Sequence, residues 1–166
     1  MAANATKRIL VGQSGGPTAA INSSLAGVVA GAREAGAETV GMRFGIQGFL
    51  DGRTVALDEA LPDAGDLELL RPTPSSWRFK LPALDAEGAD EFYRKAFAAF
   101  ADGGYDTVLY IGGNDSMDTI AKLGAYGARI GSPIRFIGVP KTIDNDLVGI
   151  DHTPGYGSAA RFVATA

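Results

Sequence analysis

A chain of 166 residues, 46% hydrophobic and 20% charged, has the length and apolar content of one globular domain, able to bury about two thirds of its unfolded surface. Its net charge of −4 excludes a generic nucleic-acid or anionic-membrane surface, so any phosphate ligand must be held by local donors. With no cysteine and the single His152, disulfide frameworks, thiolate zinc sites and multi-histidine metal centres are excluded as well.

The opening MAANATKR lacks an apolar signal core, and the small-apolar stretch 19–32 is broken by Asn22, Ser23 and Ser24. A cytoplasmic location without membrane association is the expectation. In chain order, strands are predicted at 8–12 (RILVG), 39–43 (TVGMR), 54–57, 107–111 (TVLYI) and 135–139 (RFIGV), all short, mostly apolar and punctuated by glycine or proline. Helices are predicted at 18–35, at 88–101 with Phe92, Ala96 and Phe100 on one stripe beside Tyr93 and Phe97, and at 116–126 with Met117, Ile120, Ala121 and Gly124. Strands alternating with helices predict an α/β domain on a doubly wound, mostly parallel, Rossmann-like sheet. The stretch 57–84, with RPTPSSWRFKLP, is the least regular and is expected to form a flap packed by Trp77. The chain ends inside the helical pattern GSAARFVATA without a closing element, so it is expected to be the first part of something longer.

Three polar loops begin where predicted strands stop: QSGGPT (13–18), GGNDS (112–116) and PKTIDND (140–146). In a doubly wound sheet all three open on the carboxyl edge, where ligands bind near a topological switch point. In SGGPTAAIN the backbone N–H groups of a helix start can cradle an anion, and the same residues also suit a tight glycine turn with Pro17 near the helix start. No Gly-Lys-Ser/Thr follows, so this is not a Walker A loop. The spacing Gly155-x-Gly157-x-x-Ala160 fits the dinucleotide fingerprint but follows the turn-rich GIDHTP instead of a strand, which argues against that ligand.

Gly112 and Gly113 permit close backbone approach to phosphate, with Asn114 or Asp115 reaching a metal or the phosphate oxygens. Equally, Asp115 can cap the following helix, with Asp118 in its first turn. In PKTIDND the side chains of Thr142, Asp144 and Asp146 alternate, so an extended loop would present all three on one face. Such a face suits a hydroxylated substrate, its proton and Mg²⁺, the requirements of phosphoryl transfer. A turn rich in Asx hydrogen bonds would account for Asn145 but not for the spacing. Arg71, Arg78 and Lys80 lie in the irregular stretch, and Arg78 is the candidate phosphate clamp among them. His152, without partner histidines, is expected to be structural.

SGGPTAAIN, IGGNDS, PKTIDND and TPGYGSAA, in this order and spacing, resemble the 6-phosphofructokinase family from about residue 8 to the last residue, the first half of that fold. The resemblance implies transfer of a phosphoryl group from ATP or pyrophosphate to the 1-hydroxyl of fructose 6-phosphate with Mg²⁺, a step of glycolysis that gives fructose 1,6-bisphosphate. It also implies a homo-oligomer at full length. By position, Asp144 resembles the base that takes the sugar proton, Thr142 a residue at the sugar-phosphate end, and Gly15 the donor-phosphate glycine. Arg78, Gly113 and Ser116 also fall on the donor side, and Asn114 and Asp146 fall near the metal.

Two exchanges mark the pyrophosphate-dependent branch. The ATP-using pattern has Gly-Gly-Asp-Gly and Pro-Gly-Thr-Ile-Asp, whereas this chain has Asp115 for the last glycine of the first and Lys141 for the glycine of the second. A carboxylate at Asp115 would repel a nucleotide's α-phosphate, and Lys141 offers a cation to compact pyrophosphate. Asn114 stands where the usual pattern has a metal-ligating Asp; an amide oxygen coordinates Mg²⁺ without bringing charge. The residues completing the sugar-phosphate site come, in this family, from the second half and a neighbouring subunit, so residues 1–166 alone are expected to be a donor-side domain without turnover. The alternatives are an ATP-dependent 6-phosphofructokinase and a catalytically silent regulatory paralogue; NAD and lipid kinases share a GGDG-like loop but lack PKTIDND.

Overall fold

The computed structural model describes residues 6–73 and 81–166. Its elements in chain order are β1 (Arg8–Ser14), α1 (Ala19–Glu34), β2 (Glu38–Met42), α2 (Gly45–Leu50), β3 (Thr54–Ala56), α3 (Leu57–Ala60), α4 (Ala64–Leu70), α5 (Ala89–Asp102), β4 (Thr107–Gly112), α6 (Asn114–Arg129), β5 (Arg135–Pro140) and α7 (Tyr156–Thr165). The five strands form one sheet in the order β3-β2-β1-β4-β5, parallel except for the antiparallel edge strand β3. The α/β doubly wound expectation therefore holds.

Alternation along the strands divides the core in two. Leu10 and Tyr110 face a cluster with Phe49, Tyr93, Phe100 and Leu123, whereas their neighbours Val11 and Ile111 face Ile21, Leu25, Val29 and Leu67 on the opposite side. Burial on both faces is why β1 and β4 are nearly continuous apolar runs. Helix α1 meets its side with Ile21, Leu25 and Val29, spaced four apart on one stripe. Helices α1, α5 and α6 end alike. Past each, Gly36, Gly104 or Gly131 takes a positive φ, and the next residue's amide bonds back to the last turn: Ala37 to Ala32 O, Tyr105 to Phe100 O and Ser132 to Gly127 O. Part of the glycine excess is thus spent on stopping helices short of strands.

The described residues 57–73 are more regular than their composition predicts, holding α3 and α4. Asp63 caps α4 in a capping box, accepting from the Asp66 amide at 3.0 Å while Asp66 accepts from the Asp63 amide at 3.3 Å. An Asp in place of the usual Glu or Gln at the third helical position hides that signal. Helix α2 also escapes sequence reading, because Phe44 enters it with φ of 63°, a left-handed conformation uncommon for a bulky residue. Trp77, Arg78 and Lys80, and the core of the predicted flap, lie outside the described residues. Among the described residues no helix is long and apolar enough to cross a membrane.

The connections fix where a ligand can bind. From β1 the chain crosses through α1 to β2 on one side, and from β4 it crosses through α6 to β5 on the other. The crossovers diverge between β1 and β4, so the crevice opens at the carboxyl ends of those two adjacent strands.

Candidate active site

Beside that crevice the three polar loops are locked together by backbone contacts. The Lys141 amide donates to Gly112 O at 2.7 Å, the Lys141 ammonium donates to Gly16 O at 3.2 Å, and the Ser116 hydroxyl donates to Ser14 O at 3.3 Å. Gly112 has no room for a side chain: a β-carbon there would lie 2.1 Å from Ser14 O and 2.2 Å from Ser116 Oγ. A β-carbon on Gly15 would lie 3.5 Å from the Gly113 nitrogen, and one on Gly113 would lie 3.6 Å from Lys141 O. Those two distances are ordinary contacts, so it is the crowded Gly112, with the left-handed φ of 111° at Gly15, that requires glycine where the exit loops of β1 and β4 meet.

A cavity of about 410 Å³ opens between Thr18 and Ala20 at the start of α1, Lys141, Thr142 and Ile143 after β5, and Gly155 at the start of α7. The N-cap residues Thr18 and Gly155 of α1 and α7, and Gly113 of α6, make no side-chain cap bond to their helices. Two uncapped helix starts therefore border the cavity, beside the Lys141 ammonium, and a third lies behind Lys141. The helix dipoles favour an anion at such a place, although the Ile21, Ser116 and Tyr156 amides of these first turns already donate to Thr18 O, Gly113 O and Thr153 O. A phosphate-sized anion suits it although the chain as a whole is acidic.

The acidic side chains rim this region. Asn114 and Asp115 are the first two residues of α6 and both are exposed. The cap is Gly113, not Asp115, and Asp118 lies beyond the first turn, paired with Lys122 at 2.6 Å. Asp115 sits in the first turn, where the dipole favours its charge. Ser116 is buried with its hydroxyl directed to Ser14 O, so its side chain ties β4 to β1 instead of facing the cleft. Gly15 and Gly113 are half-buried at the loop crossing.

PKTIDND is not an extended strand-like loop. The chain bends at Ile143 and Asp144, and Asn145 has φ of 57°, so the expected alternation of Thr142, Asp144 and Asp146 on one face is broken. The Asp144 amide donates to Thr142 Oγ1 at 3.0 Å, which turns the chain sharply and leaves the Asp144 carboxylate exposed next to the half-buried Thr142. Asp146 is exposed in the loop beyond. Asn145 makes no local Asx bond among the described residues; its Oδ1 accepts from the Thr153 amide and its own amide donates to Thr153 Oγ1, eight residues further on. His152 is exposed, its ring 6.4 Å from that of Tyr156.

Among the described residues no three His, Cys, Asp or Glu side chains gather to hold a metal ion. Sequence reading missed Ser14, Ile143 and Thr153, and it did not find the Lys141 contact to Gly16 O. These residues carry no distinctive chemistry, and only the three-dimensional crossing of the loops gives them a role.

A family model described as phosphofructokinase matches residues 8–166. The chain belongs to the phosphofructokinase family. It is 39% identical over 162 residues to a pyrophosphate--fructose 6-phosphate 1-phosphotransferase of Xanthomonas campestris, covering 95% of this chain and 38% of that protein. A protein of the same name from Rhodospirillum rubrum is 39% identical over 161 residues, covering 96% and 39%. Among solved structures, a pyrophosphate-dependent phosphofructokinase from Marinobacter aquaeolei superposes with a TM-score of 0.77 at 35% identity, covering 96% of this chain and 39% of that one. The chain thus spans about two fifths of the length of the relatives it matches.

Proposed function

We propose that this chain is the donor-side domain of an enzyme that moves a phosphoryl group from pyrophosphate to the 1-hydroxyl of fructose 6-phosphate. The observation that carries the reading is the placement of Lys141. Its ammonium, held against Gly16 O, stands between the glycine loops at an anion-favouring edge, and at this position the ATP-using pattern has only glycine. The relatives named for pyrophosphate support the same donor.

In this mechanism the Asp144 carboxylate accepts the proton of the 1-hydroxyl as its oxygen attacks the nearer phosphorus of pyrophosphate. The bridging P–O bond breaks and orthophosphate leaves, so that fructose 1,6-bisphosphate forms. Thr142 orients the sugar end. Gly15, Gly113 and the Lys141 ammonium hold the donor, and Asp115 disfavours a nucleotide in the same space. Arg78, outside the described residues, is the further candidate donor ligand.

Asn114 and Asp146, both exposed, would hold a Mg²⁺ ion arriving on phosphate with one amide and one carboxylate, a set that suits an ion commonly held by one or two carboxylates together with substrate phosphates. When bound, the ion would neutralise charge on the transferring group. The rest of the sugar-phosphate site is assigned to sequence beyond these residues and to a neighbouring copy in a homo-oligomer, so residues 1–166 alone have no turnover. A cytoplasmic location completes the reading.

The test is phosphoryl transfer to fructose 6-phosphate by a protein of family length, comparing pyrophosphate with ATP, each with and without Mg²⁺. Turnover with pyrophosphate and Mg²⁺ alone is expected. ATP as the sole donor would overturn the donor assignment, and no turnover with either would favour a silent regulatory paralogue.

A further inference from the structure

Thr153 is the one buried residue between Lys141 and Ala166, at 3% exposure. Buried donors and acceptors destabilise a fold unless they are paired, and Thr153 pairs two of its groups with a single residue. Its amide donates to Asn145 Oδ1 at 2.9 Å, and the Asn145 amide donates to Thr153 Oγ1 at 3.2 Å. The Thr153 carbonyl accepts from the Tyr156 amide at 3.1 Å, which joins the pair to the start of α7.

The clamp sits where the cavity's walls meet. Thr142 and Ile143 on one wall lie just before Asn145, and Pro154 and Gly155 on the other lie just after Thr153. Ile143 already packs across: a β-carbon on Gly155 would lie 3.4 Å from its Cδ1. Asn145 is held left-handed, a conformation that Asn tolerates better than most residues, and Asp144 directly precedes it.

We propose that Asn145 and Thr153 are a positioning pair for phosphoryl transfer, closing the neck of loop 146–152 and fixing the backbone from which Asp144 meets the sugar hydroxyl. The inference rests on Asp144 being the base. A displacement of about 1 Å at a reacting group can cost about 100-fold in rate, so the clamp acts on turnover more than on binding.

The experiment compares Thr153→Val, Thr153→Ser and Asn145→Gly in the enzyme of family length. Thr153→Val keeps the shape and removes the hydroxyl, and Asn145→Gly keeps the left-handed backbone and removes the Oδ1 acceptor. Both should lower kcat about 10- to 100-fold with KM for fructose 6-phosphate and pyrophosphate within about threefold, while Thr153→Ser stays within about threefold of wild type. Backbone amide exchange at Asn145 should accelerate in Thr153→Val and not in Thr153→Ser. Wild-type kcat in Thr153→Val, or an equal loss in Thr153→Ser, would overturn the proposal. A wild type without phosphoryl transfer would remove the functional reading alone; unchanged exchange in Thr153→Val would then remove the clamp.

Discussion

The Lys141 ammonium donates to the carbonyl oxygen of Gly16 at 3.2 Å, so the loop after β5 and the loop after β1 are joined by a charge at the edge of the cavity. One carbonyl leaves the other ammonium protons available to a phosphate. Lys141→Met keeps most of the aliphatic stem and removes the cation. Turnover per encounter with pyrophosphate, kcat/KM, should fall about 100- to 1,000-fold, the usual loss for one donor aimed at developing charge. Unfolding free energy should fall by only about 1 kcal/mol, the net worth of one hydrogen bond. Steady-state kinetics together with denaturant melts separate the two effects, and an unchanged kcat/KM would remove Lys141 from the donor site.

Asp144 tests the acceptor side. Its backbone amide makes the bond to Thr142, and its carboxylate is exposed, so Asp144→Asn leaves the turn intact. Stability should change by no more than about 0.5 kcal/mol, as for exposed substitutions generally. The rate constant should fall at least about 100-fold through loss of general-base catalysis. A variant retaining more than a tenth of wild-type kcat would move the base elsewhere.

Much of this arrangement was legible in the sequence. β-Branched runs placed the five strands to within a few residues, and polar residues directly after three of them located the carboxyl-edge loops. What could not be read was set by contacts between distant segments. Ser116 looks like a phosphate ligand beside two glycines, but it is consumed by Ser14 O, 102 positions away in the chain. The alternation of Thr142, Asp144 and Asp146 suggested an extended loop, whereas the Asp144 amide bonds back to Thr142 Oγ1 and Asn145 is held by Thr153, eight residues further on. Asn22 was legible only as a polar interruption of a small-apolar stretch, yet it is buried, its amide donating to Thr73 O at 2.7 Å and to Thr73 Oγ1 at 2.9 Å.

Glycine substitutions distinguish crowded positions from open ones. Gly112→Ala would drive a methyl to 2.1 Å from Ser14 O, a backbone atom at the end of a strand that cannot rotate away. A loss of about 1–3 kcal/mol is expected, the range for overpacking. Gly27→Ala, in the exposed flank of α1 with nothing within 4 Å of the new methyl, should instead gain up to about 1 kcal/mol from helix propensity. Denaturant unfolding of both variants settles this, and equal effects would show that the loop crossing relaxes freely.

Asp106 ties together the amino ends of β1, β4 and β5, away from the cleft. Its carboxylate accepts from the Arg8 amide at 2.8 Å and from the Thr107 hydroxyl at 2.7 Å, with the Arg135 guanidinium 3.7 Å away. Burial alone would raise its pKa; the Thr107 hydroxyl, the Arg8 amide and the charges of Arg135 and Lys7 outweigh it and hold the carboxyl below its ordinary value. A folded-state pKa below the unfolded one means the ionised form stabilises the fold. That contribution is complete above the unfolded value of about 3.9 and is lost as pH falls through the folded one. Asp106→Asn should therefore be less stable than wild type near pH 7, by about 1 kcal/mol given the side chain's partial exposure. The gap should close as both proteins are acidified below pH of about 3. A gap that persists unchanged in acid would assign the loss to packing and not to the charge of Asp106.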